Sequence, residues 1–418
     1  MHYFNYKDGE LYCEEVPIKK IAEEVGTPFY LYSTKTFKRH FRAFENAFSE
    51  INHIICFAIK ANSNLAVLSL LASLGSGADI VSKGELYRAI KAGIDPQKIV
   101  YSGVGKRADE IRYALENDIL MFNVESLSEL KVIEEQAKIL NKKAPISFRV
   151  NPDVDPKTHE YISTGLKKNK FGLSKDDALK AYDIAANMEN LEVVGIDCHI
   201  GSQITQIPPF VDALSRLLDL LKTLEDKGHK IKYLDIGGGL GIKYHHEAPP
   251  EPDEYATEII KKLKDMPQTL IIEPGRAIAG NAGILITKLL YIKETKEKNF
   301  YIVDAGMNDL ARPSLYKAYH EILPVLKQNN EREEIIVDIV GPICETGDFL
   351  AKDRAMPKLK EGELLAVMSA GAYGFTMSSN YNSRPRVPEV MVSEDKFKVV
   401  RERESLDDLI AKERLFDL

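Results

Sequence analysis

Between residues 53 and 276 the sequence alternates short apolar runs with polar stretches whose apolar positions repeat at the helical period. This alternation is typical of parallel β/α units. We count eight apolar runs, and eight such units in a row favour a closed (β/α)8 TIM barrel over an open, doubly wound sheet. The clearest helix is predicted at 210–228, where Gly228 marks its end. The eight runs are HIICFAIK, GADIVS, KIVYSGV, ILMFNV, PISFRVN, VVGIDCHIG, YLDIGGG and LIIEPGR.

Beyond Arg276 the pattern changes to β-rich stretches that are separated by turn residues and short helical pieces. This predicts a second, mostly antiparallel β domain after the barrel. The early segment TPFYLY at 27–32 has no place in a barrel of eight strands, so we assign it to the β domain as well. The predicted domains are a barrel at 33–277 and a β domain made of 1–32 and 278–418.

Composition supports two domains, because 418 residues with 44% apolar content exceed what a single core usually holds. The net charge of -7 comes from interspersed acidic and basic residues, so no basic face for nucleic acid is expected. Four scattered cysteines suggest neither disulfides nor a metal site, which favours a reducing cytoplasm. The charged N-terminus does not resemble a signal peptide, and no run is long enough to span a membrane. We expect a soluble, cytoplasmic protein with no membrane partner.

Lys60 closes the apolar run IICFAIK, at the mouth of a predicted buried strand. A lysine with little water around its ammonium holds its proton less tightly, so its amine becomes a usable nucleophile. Schiff-base chemistry requires such an amine. Taken alone, Lys60 is better interpreted as a strand-end residue that carries its charge to the surface. The motifs that follow along the chain reverse this preference.

Two of these motifs follow the seventh and eighth predicted strands, where TIM barrels commonly bind phosphate. GGGLG at 237–241 lets backbone N–H groups approach an anion, although a tight turn without a ligand is equally compatible. EPGR places Glu273 and Arg276 at one strand end, where they form either part of a site or a surface ion pair. An amine, a phosphate cradle and an acid for a pyridine nitrogen together describe pyridoxal phosphate.

Over nearly its whole length the chain resembles the fold-type III pyridoxal-phosphate decarboxylases, which combine an alanine-racemase-like barrel with a β domain. The resemblance implies that Lys60 binds the cofactor covalently, that His199 stacks on its ring and that Ser202 reaches its phosphate. The motifs that carry it are FAIKAN, HIGSQ at 199–203, GGGLG, EPGR, GPICETGD at 341–348 and SAGAYG at 369–374. The implied cofactor-binding residues are Lys60, His199, Ser202, Gly237, Gly238, Gly239, Glu273, Gly275, Arg276 and Tyr373.

The same resemblance makes Cys344 a proton donor beside the acid Glu345, and therefore catalytic together with Lys60. Without it, His199 would be interpreted as a core histidine and Cys344 as a small buried apolar residue. Thr346 stands where serine is often expected, but it leaves the cysteine and the acid unchanged.

Three further residues and two loops are weaker candidates. Asp79 matches an acidic position near the lysine in this family, although a strand-end cap explains it nearly as well. Arg149 and His159 point to the active-site face by position alone. Long loops at 155–172 and 243–255 follow the fifth and seventh strands, and either could form a lid.

The identity of the acid favours decarboxylation. Glu273 keeps the pyridine nitrogen protonated and the electron sink strong, whereas alanine racemase has an arginine there. In ARPSLY, Arg312 and Tyr316 can bind a carboxylate at the far end of the substrate together with Arg276. Glu345 can take an ammonium. The predicted substrate-binding residues are Arg276, Arg312, Tyr316, Glu345 and Tyr373.

A distal carboxylate and a distal amino group are the features of meso-diaminopimelate, whose decarboxylation gives L-lysine. Decarboxylases of ornithine, arginine or carboxynorspermidine remain alternatives, and Arg312 argues against the first two more firmly than against the third. A pyridoxal-phosphate carrier protein is less compatible, because such chains lack the β domain. The resemblance also implies a homodimer whose subunits share active sites.

Overall fold

A computed structural model describes residues 2–155, 170–327 and 332–416. The chain divides into two compact units. One comprises Lys38–Lys243 and Glu247–Ile278, and the other Met1–Phe37, Tyr244–His246 and Ala279–Leu418. We call them the barrel unit and the β unit.

The described residues contain twenty strands and twelve α-helices. In chain order the strands are β1 (Phe4–Lys7), β2 (Glu10–Cys13), β3 (Val16–Pro17), β4 (Phe29–Ser33), β5 (His53–Ala58), β6 (Gly77–Ile80), β7 (Ile99–Tyr101), β8 (Met121–Val124), β9 (Ala144–Arg149), β10 (Leu191–Asp197), β11 (Tyr233–Asp235), β12 (Thr269–Ile272), β13 (Gly283–Glu294), β14 (Asn299–Val303), β15 (Ile322–Pro324), β16 (Glu334–Val340), β17 (Phe349–Pro357), β18 (Leu364–Val367), β19 (Glu389–Ser393) and β20 (Lys396–Arg401). The helices are α1 (Ile18–Val25), α2 (Thr34–Ala47), α3 (Leu65–Ser73), α4 (Lys83–Lys91), α5 (Ala108–Glu116), α6 (Leu127–Ile139), α7 (Lys175–Ala185), α8 (Pro208–Asp226), α9 (Pro252–Leu263), α10 (Arg276–Ala279), α11 (Arg312–Tyr316) and α12 (Leu406–Ile410).

The barrel unit contains eight parallel strands, β5 to β12, which close because β12 pairs with β5. Each predicted apolar run overlaps one of these strands, so the predicted barrel is confirmed. Side chains fill its interior: a Cβ added at Gly195 would lie 3.0 Å from the Met121 sulfur and 3.2 Å from the Ser147 Cβ. The chemistry is therefore confined to the ends of the strands.

Helix α8 illustrates how the sequence builds the outer layer. Its apolar positions recur at helical spacing. Pro208 and Pro209 lie in its first turn, where backbone N–H groups have no intrahelical acceptor, so the N–H that proline lacks is not missed there. The helix ends at Asp226, and Gly228 follows in the left-handed region with φ +92°. The predicted helix is confirmed to within two residues. Its buried side chains are Phe210, Ala213, Leu214, Leu217, Leu220, Leu221 and Leu224.

The β unit is built on a sheet with the strand order β17-β16-β14-β13-β4-β19-β20, to which β18 and β15 are added through β13. Strand β4, from the early segment TPFYLY, is buried along its whole length between β13 and β19. Strand β4 therefore belongs to the sheet of the β unit. Most pairs are antiparallel as predicted, but β14 with β16 and β4 with β19 are parallel. No helix in the described ranges is long and apolar enough to cross a membrane.

Candidate active site

Lys60 lies in a single 3-10 turn, Ile59–Ala61, directly after the first barrel strand. Its Nζ lies 2.5 Å from the Asp79 Oδ2, and the lysine side chain is 37% exposed while that of Asp79 is fully buried. Asp79 stands on β6 and is the register partner of Ala58 on β5. Asp79 is therefore the ion-pair partner of Lys60, which holds the amine at the end of the barrel.

Glu273 follows β12 and shares a buried cluster with two other acids. Asp197 ends β10, Asp235 ends β11, and the two are register partners. One carboxylate oxygen from each of the three residues lies within 4.8 Å of the others. Burial, and then the charge of Asp235, raises the pKa of Glu273 well above its usual range. Burial also raises the pKa of Asp235 to about 7, so the three acids do not all carry a charge at neutral pH unless a cation joins them.

Hydrogen bonds distinguish Asp235 from Glu273. Both Asp235 oxygens accept bonds, from the Gly237 N–H at 2.9 Å and from the Asn123 amide at 3.2 Å. Ser147 donates in turn to the Asn123 carbonyl oxygen at 2.6 Å. The Oε1 of Glu273 is buried and has no hydrogen-bond partner among the described residues. That oxygen is a buried acceptor for which the described residues supply no donor.

The three glycines after β11 permit close contacts that a side chain would prevent. A Cβ added at Gly237 would lie 2.5 Å from the His199 Nδ1, and one at Gly238 would lie 2.1 Å from the Glu273 carbonyl oxygen. At Gly239, where φ is +114°, the nearest atom would be the Gly201 carbonyl oxygen at 2.5 Å. The loops that follow β10, β11 and β12 meet here, and only glycine allows the approach.

His199 is held as a neutral ring. Its Nδ1 accepts a hydrogen bond from the Gly238 N–H at 3.1 Å, so that nitrogen carries no proton. Burial, and then the charges of Arg149 and Lys60, lowers its pKa well below the usual value. A neutral imidazole offers a flat stacking surface.

Arg276, which begins α10, is buried and donates to the Ser202 hydroxyl from Nε at 3.3 Å and from Nη2 at 3.0 Å. A guanidinium and a hydroxyl are donors that a phosphate group accepts from, whereas the N–H groups of Gly237 and Gly238 already donate to Asp235 and His199. The structure therefore brings together two residues that the sequence placed at the phosphate.

Arg149 is engaged in a buried ion pair, in which its Nη1 lies 2.9 Å from the Glu125 Oε1. Its guanidinium also lies over the Phe171 ring at 4.7 Å. His159 and most of the predicted loop 155–172 lie outside the described residues. The loop 243–255 is described, but its role as a lid stays a prediction.

The remaining predicted residues belong to the β unit. Arg312 begins α11 and is buried, and Tyr316 ends that helix. Cys344 is exposed, so its interpretation as a buried apolar residue is wrong, and its N–H donates to the Asn382 side-chain oxygen at 2.8 Å.

Glu345 and Tyr373 lie in the same unit. The Oε2 of Glu345 accepts a hydrogen bond from the Tyr381 hydroxyl at 2.8 Å. Tyr373 has φ +55°, a conformation uncommon for a residue other than glycine, so its loop holds it in a strained backbone. Such strain often occurs at functional sites.

Comparison with known proteins identifies the family. Residues 34–280 match the pyridoxal-binding domain of the pyridoxal-dependent decarboxylases. The chain is 54% identical over 415 residues to the diaminopimelate decarboxylase of Vibrio cholerae, and the alignment covers 99% of each chain. The chain belongs to the diaminopimelate decarboxylase family.

Solved structures of this family support the same assignment. Diaminopimelate decarboxylase from Helicobacter pylori complexed with L-lysine is similar with a TM-score of 0.91 and 46% identity, covering 94% of this chain and 98% of that one. The M. jannaschii enzyme in complex with L-lysine gives a TM-score of 0.94 and 42% identity, covering 99% and 98%.

The barrel residues fit the pyridoxal group that gives the wider decarboxylase family its name. Lys60 offers an amine for an aldehyde, and the unpartnered Oε1 of Glu273 offers an acceptor for a ring N–H. The Arg276 guanidinium and the Ser202 hydroxyl offer donors for a phosphate group. Three independent features of this member of the diaminopimelate decarboxylase family therefore match three parts of one cofactor.

Sequence reasoning missed Asp197 and Asp235. Each ends its strand, in GIDCHIG and YLDIGGG, two positions before a motif that was recognised. Glu273 stands likewise just beyond its own strand. An acid at the end of three consecutive barrel strands was the signal that could have identified this cluster, because neighbouring strand ends converge on one ring.

Proposed function

We propose that this chain decarboxylates meso-2,6-diaminopimelate to L-lysine and CO2, the last step of lysine biosynthesis. The barrel domain of residues 33–277 would hold pyridoxal 5'-phosphate. The observation that carries the proposal is that one end of the barrel has both the Lys60 amine and a buried acid, Glu273, whose pKa is raised. The charge of Lys60 acts on Glu273, which supports one shared site.

When bound, pyridoxal phosphate supplies an electron sink for the pair left behind by departing CO2. Lys60 holds the cofactor through its amine, and Asp79 fixes the position of that amine from a buried strand end. Glu273 would keep a proton at the ring nitrogen, because a buried carboxylate is stabilised in its ionised form by the positive N–H that it faces. In this proposal the positive group that joins the acid cluster is the ring N–H. The proposal therefore includes no metal ion.

The neutral His199 ring stacks against the cofactor, and its bond from Gly238 fixes its orientation. Ser202 and Arg276 bind the phosphate beside the glycine loop, and the hydrogen bonds from Arg276 to Ser202 pre-organise both side chains. Gly275 allows the EPGR turn to pack closely, because a Cβ there would lie 3.0 Å from the Ala58 Cβ.

Residues of the β unit complete the proposal. An exposed thiol at Cys344 can return a proton to the substrate carbon, and Tyr381 orients the neighbouring Glu345 toward a substrate ammonium. Arg312, Tyr316 and Arg276 bind the distal carboxylate, and Tyr373 contacts both phosphate and substrate.

We also propose a homodimer with shared active sites, to which the loop that carries Cys344 contributes across the subunit interface. An amino-acid ligand is supported by the relatives that are complexed with L-lysine. A cytoplasmic location stays a prediction that rests on the four cysteines, all of which are free thiols.

A substrate panel tests the function. The purified protein loaded with pyridoxal phosphate should release CO2 from meso-diaminopimelate but not from the LL isomer, ornithine or arginine. Borohydride reduction should fix the cofactor to Lys60, as peptide mapping would show. Equal turnover of ornithine or carboxynorspermidine would refute the substrate assignment, and reduction that leaves Lys60 unlabelled would refute the mechanism.

A further inference from the structure

His320 and Arg312 form a shielded contact in the β unit. The Nη1 of Arg312 lies 2.8 Å from the Nε2 of His320, and the His320 Nδ1 lies 2.8 Å from the Met368 carbonyl oxygen. His320 is fully buried and Arg312 is 6% exposed. Water therefore competes little with either bond.

The partners of His320 determine its protonation state. A carbonyl oxygen only accepts hydrogen bonds, so the Nδ1 of His320 carries a hydrogen and donates it to Met368. A guanidinium only donates, so the Nε2 of His320 accepts from Arg312. The imidazole is therefore neutral, and it is fixed in one tautomer by contacts on both sides.

Tyr244 restrains the guanidinium from a second direction. The Arg312 Cζ lies 4.6 Å from the centre of the Tyr244 ring, and that ring meets His320 edge-on at 5.4 Å and 77°. Tyr244 belongs to the same compact unit as the other two residues. The imidazole thus fixes one edge of the guanidinium while the aromatic ring fixes its plane.

We propose that His320 is a positioning residue that orients Arg312 toward the carboxylate at the far end of the substrate. His320 thereby sets the preference for amino acids with that carboxylate, an inference that rests on the proposed function. An acidic residue in the place of His320 would orient Arg312 but would also offset its charge, whereas a neutral imidazole orients the guanidinium without adding a negative charge beside it. A pre-oriented arginine also loses less conformational freedom when the substrate binds.

Two ligands separate this role from a purely structural one. L-lysine and 1,5-diaminopentane have the same chain and terminal amine, but only lysine carries the carboxylate. Binding of each to the protein loaded with pyridoxal phosphate would be measured from the cofactor absorbance. In His320→Leu we expect lysine to bind about 10-fold to 100-fold more weakly, the range for one hydrogen bond to a charged group, with diaminopentane unchanged. KM for meso-diaminopimelate should rise more than kcat falls.

His320→Gln should largely restore lysine binding, because its amide can donate to Met368 and accept from Arg312. His229→Leu is the matched control, since this histidine lies just beyond α8, has a side chain that is only 8% exposed, and contacts Asp183 instead of the proposed site. Equal weakening of both ligands in His320→Leu, no weakening, or failure of His320→Gln to restore binding would overturn the proposal.

If His320→Leu does not fold, His320→Asn replaces it, because its shorter amide does not reach both partners. The same differential loss is then expected relative to His320→Gln, and its absence would overturn the proposal. Failure of the proposed function has a different signature. In that case the unchanged protein itself would bind lysine no better than diaminopentane and release no CO2 from meso-diaminopimelate.

Discussion

Replacing Gly238 by alanine tests whether the glycine loop must approach the end of β12 as closely as the structure shows. The added Cβ would lie 2.1 Å from the Glu273 carbonyl oxygen and 2.9 Å from its carbonyl carbon, whereas ordinary contact begins at 3.4 Å. Both atoms belong to the backbone, so no side-chain rotation relieves the clash. Because Gly238 is not in the left-handed region, the effect of the substitution is steric alone.

The magnitude follows from the displacement that the clash requires. The loop or the Glu273 backbone must move by about 1.3 Å to restore ordinary contact. Overpacking of this kind typically costs about 1–3 kcal/mol of unfolding free energy. A shift of about 1 Å in a positioning element can lower the rate about 100-fold. We therefore expect both effects in Gly238→Ala.

Three measurements check this expectation: urea unfolding of the cofactor-free protein, titration with pyridoxal phosphate followed by absorbance, and the rate of CO2 release. Gly105→Ala is the control, because it lies in the turn after β7 and nothing lies within 4 Å of its added Cβ. Its stability should change by less than about 0.5 kcal/mol. If Gly238→Ala binds the cofactor and turns over like Gly105→Ala, the glycine loop is not the cradle that we infer.

Three further predictions concern single side chains. Cys344→Ala should lower kcat by about 100-fold to 10,000-fold, the range for a lost general acid, and leave the cofactor absorbance unchanged; a normal kcat would exclude the thiol as the proton donor. Tyr182→Phe should lower the unfolding free energy by about 1–3 kcal/mol in urea titrations, because the buried hydroxyl donates to the Gly195 carbonyl at 2.9 Å. Since burial raises the pKa of Asp235 to about 7 from about 3.9 in the unfolded chain, the folded protein keeps a proton that the unfolded chain loses. Stability of the cofactor-free protein should fall as pH rises from about 4 to about 7, and a slope that Asp235→Asn leaves unchanged would contradict this assignment.

The barrel could be predicted from the sequence because each strand is buried on both faces and therefore appears as an unbroken apolar run. Strand β17 was missed for the opposite physical reason. It lies at the edge of the β sheet and carries three successive charged residues, Lys352, Asp353 and Arg354. Charges and irregular register protect an edge strand from pairing with other chains, and they also remove its alternation.

The N-terminal sheet was missed because its strands β1 to β3 contain only two to four residues each, too few for a period to emerge. Within the site, each barrel motif predicts residues at one strand end, and the roles of those residues stay predictions. The contacts of His320 with Arg312 and Met368 could not be predicted, because they join segments that are far apart in the sequence.

The acid cluster makes a prediction about the cofactor itself. Asp197, Asp235 and Glu273 are buried together, and burial raises the pKa of each acid even though the charge of Arg149 lowers that of Asp197 and the charge of Lys60 lowers that of Glu273. A ring N–H facing Glu273 would add a further positive group, so cofactor binding should return these pKa values toward their ordinary range and release protons. Thermal unfolding measured from about pH 4 to about pH 7 should therefore show a smaller loss of stability with the cofactor than without it. A slope that cofactor binding leaves unchanged would mean that the ring nitrogen does not meet this cluster, and the assignment of Glu273 would fail with it.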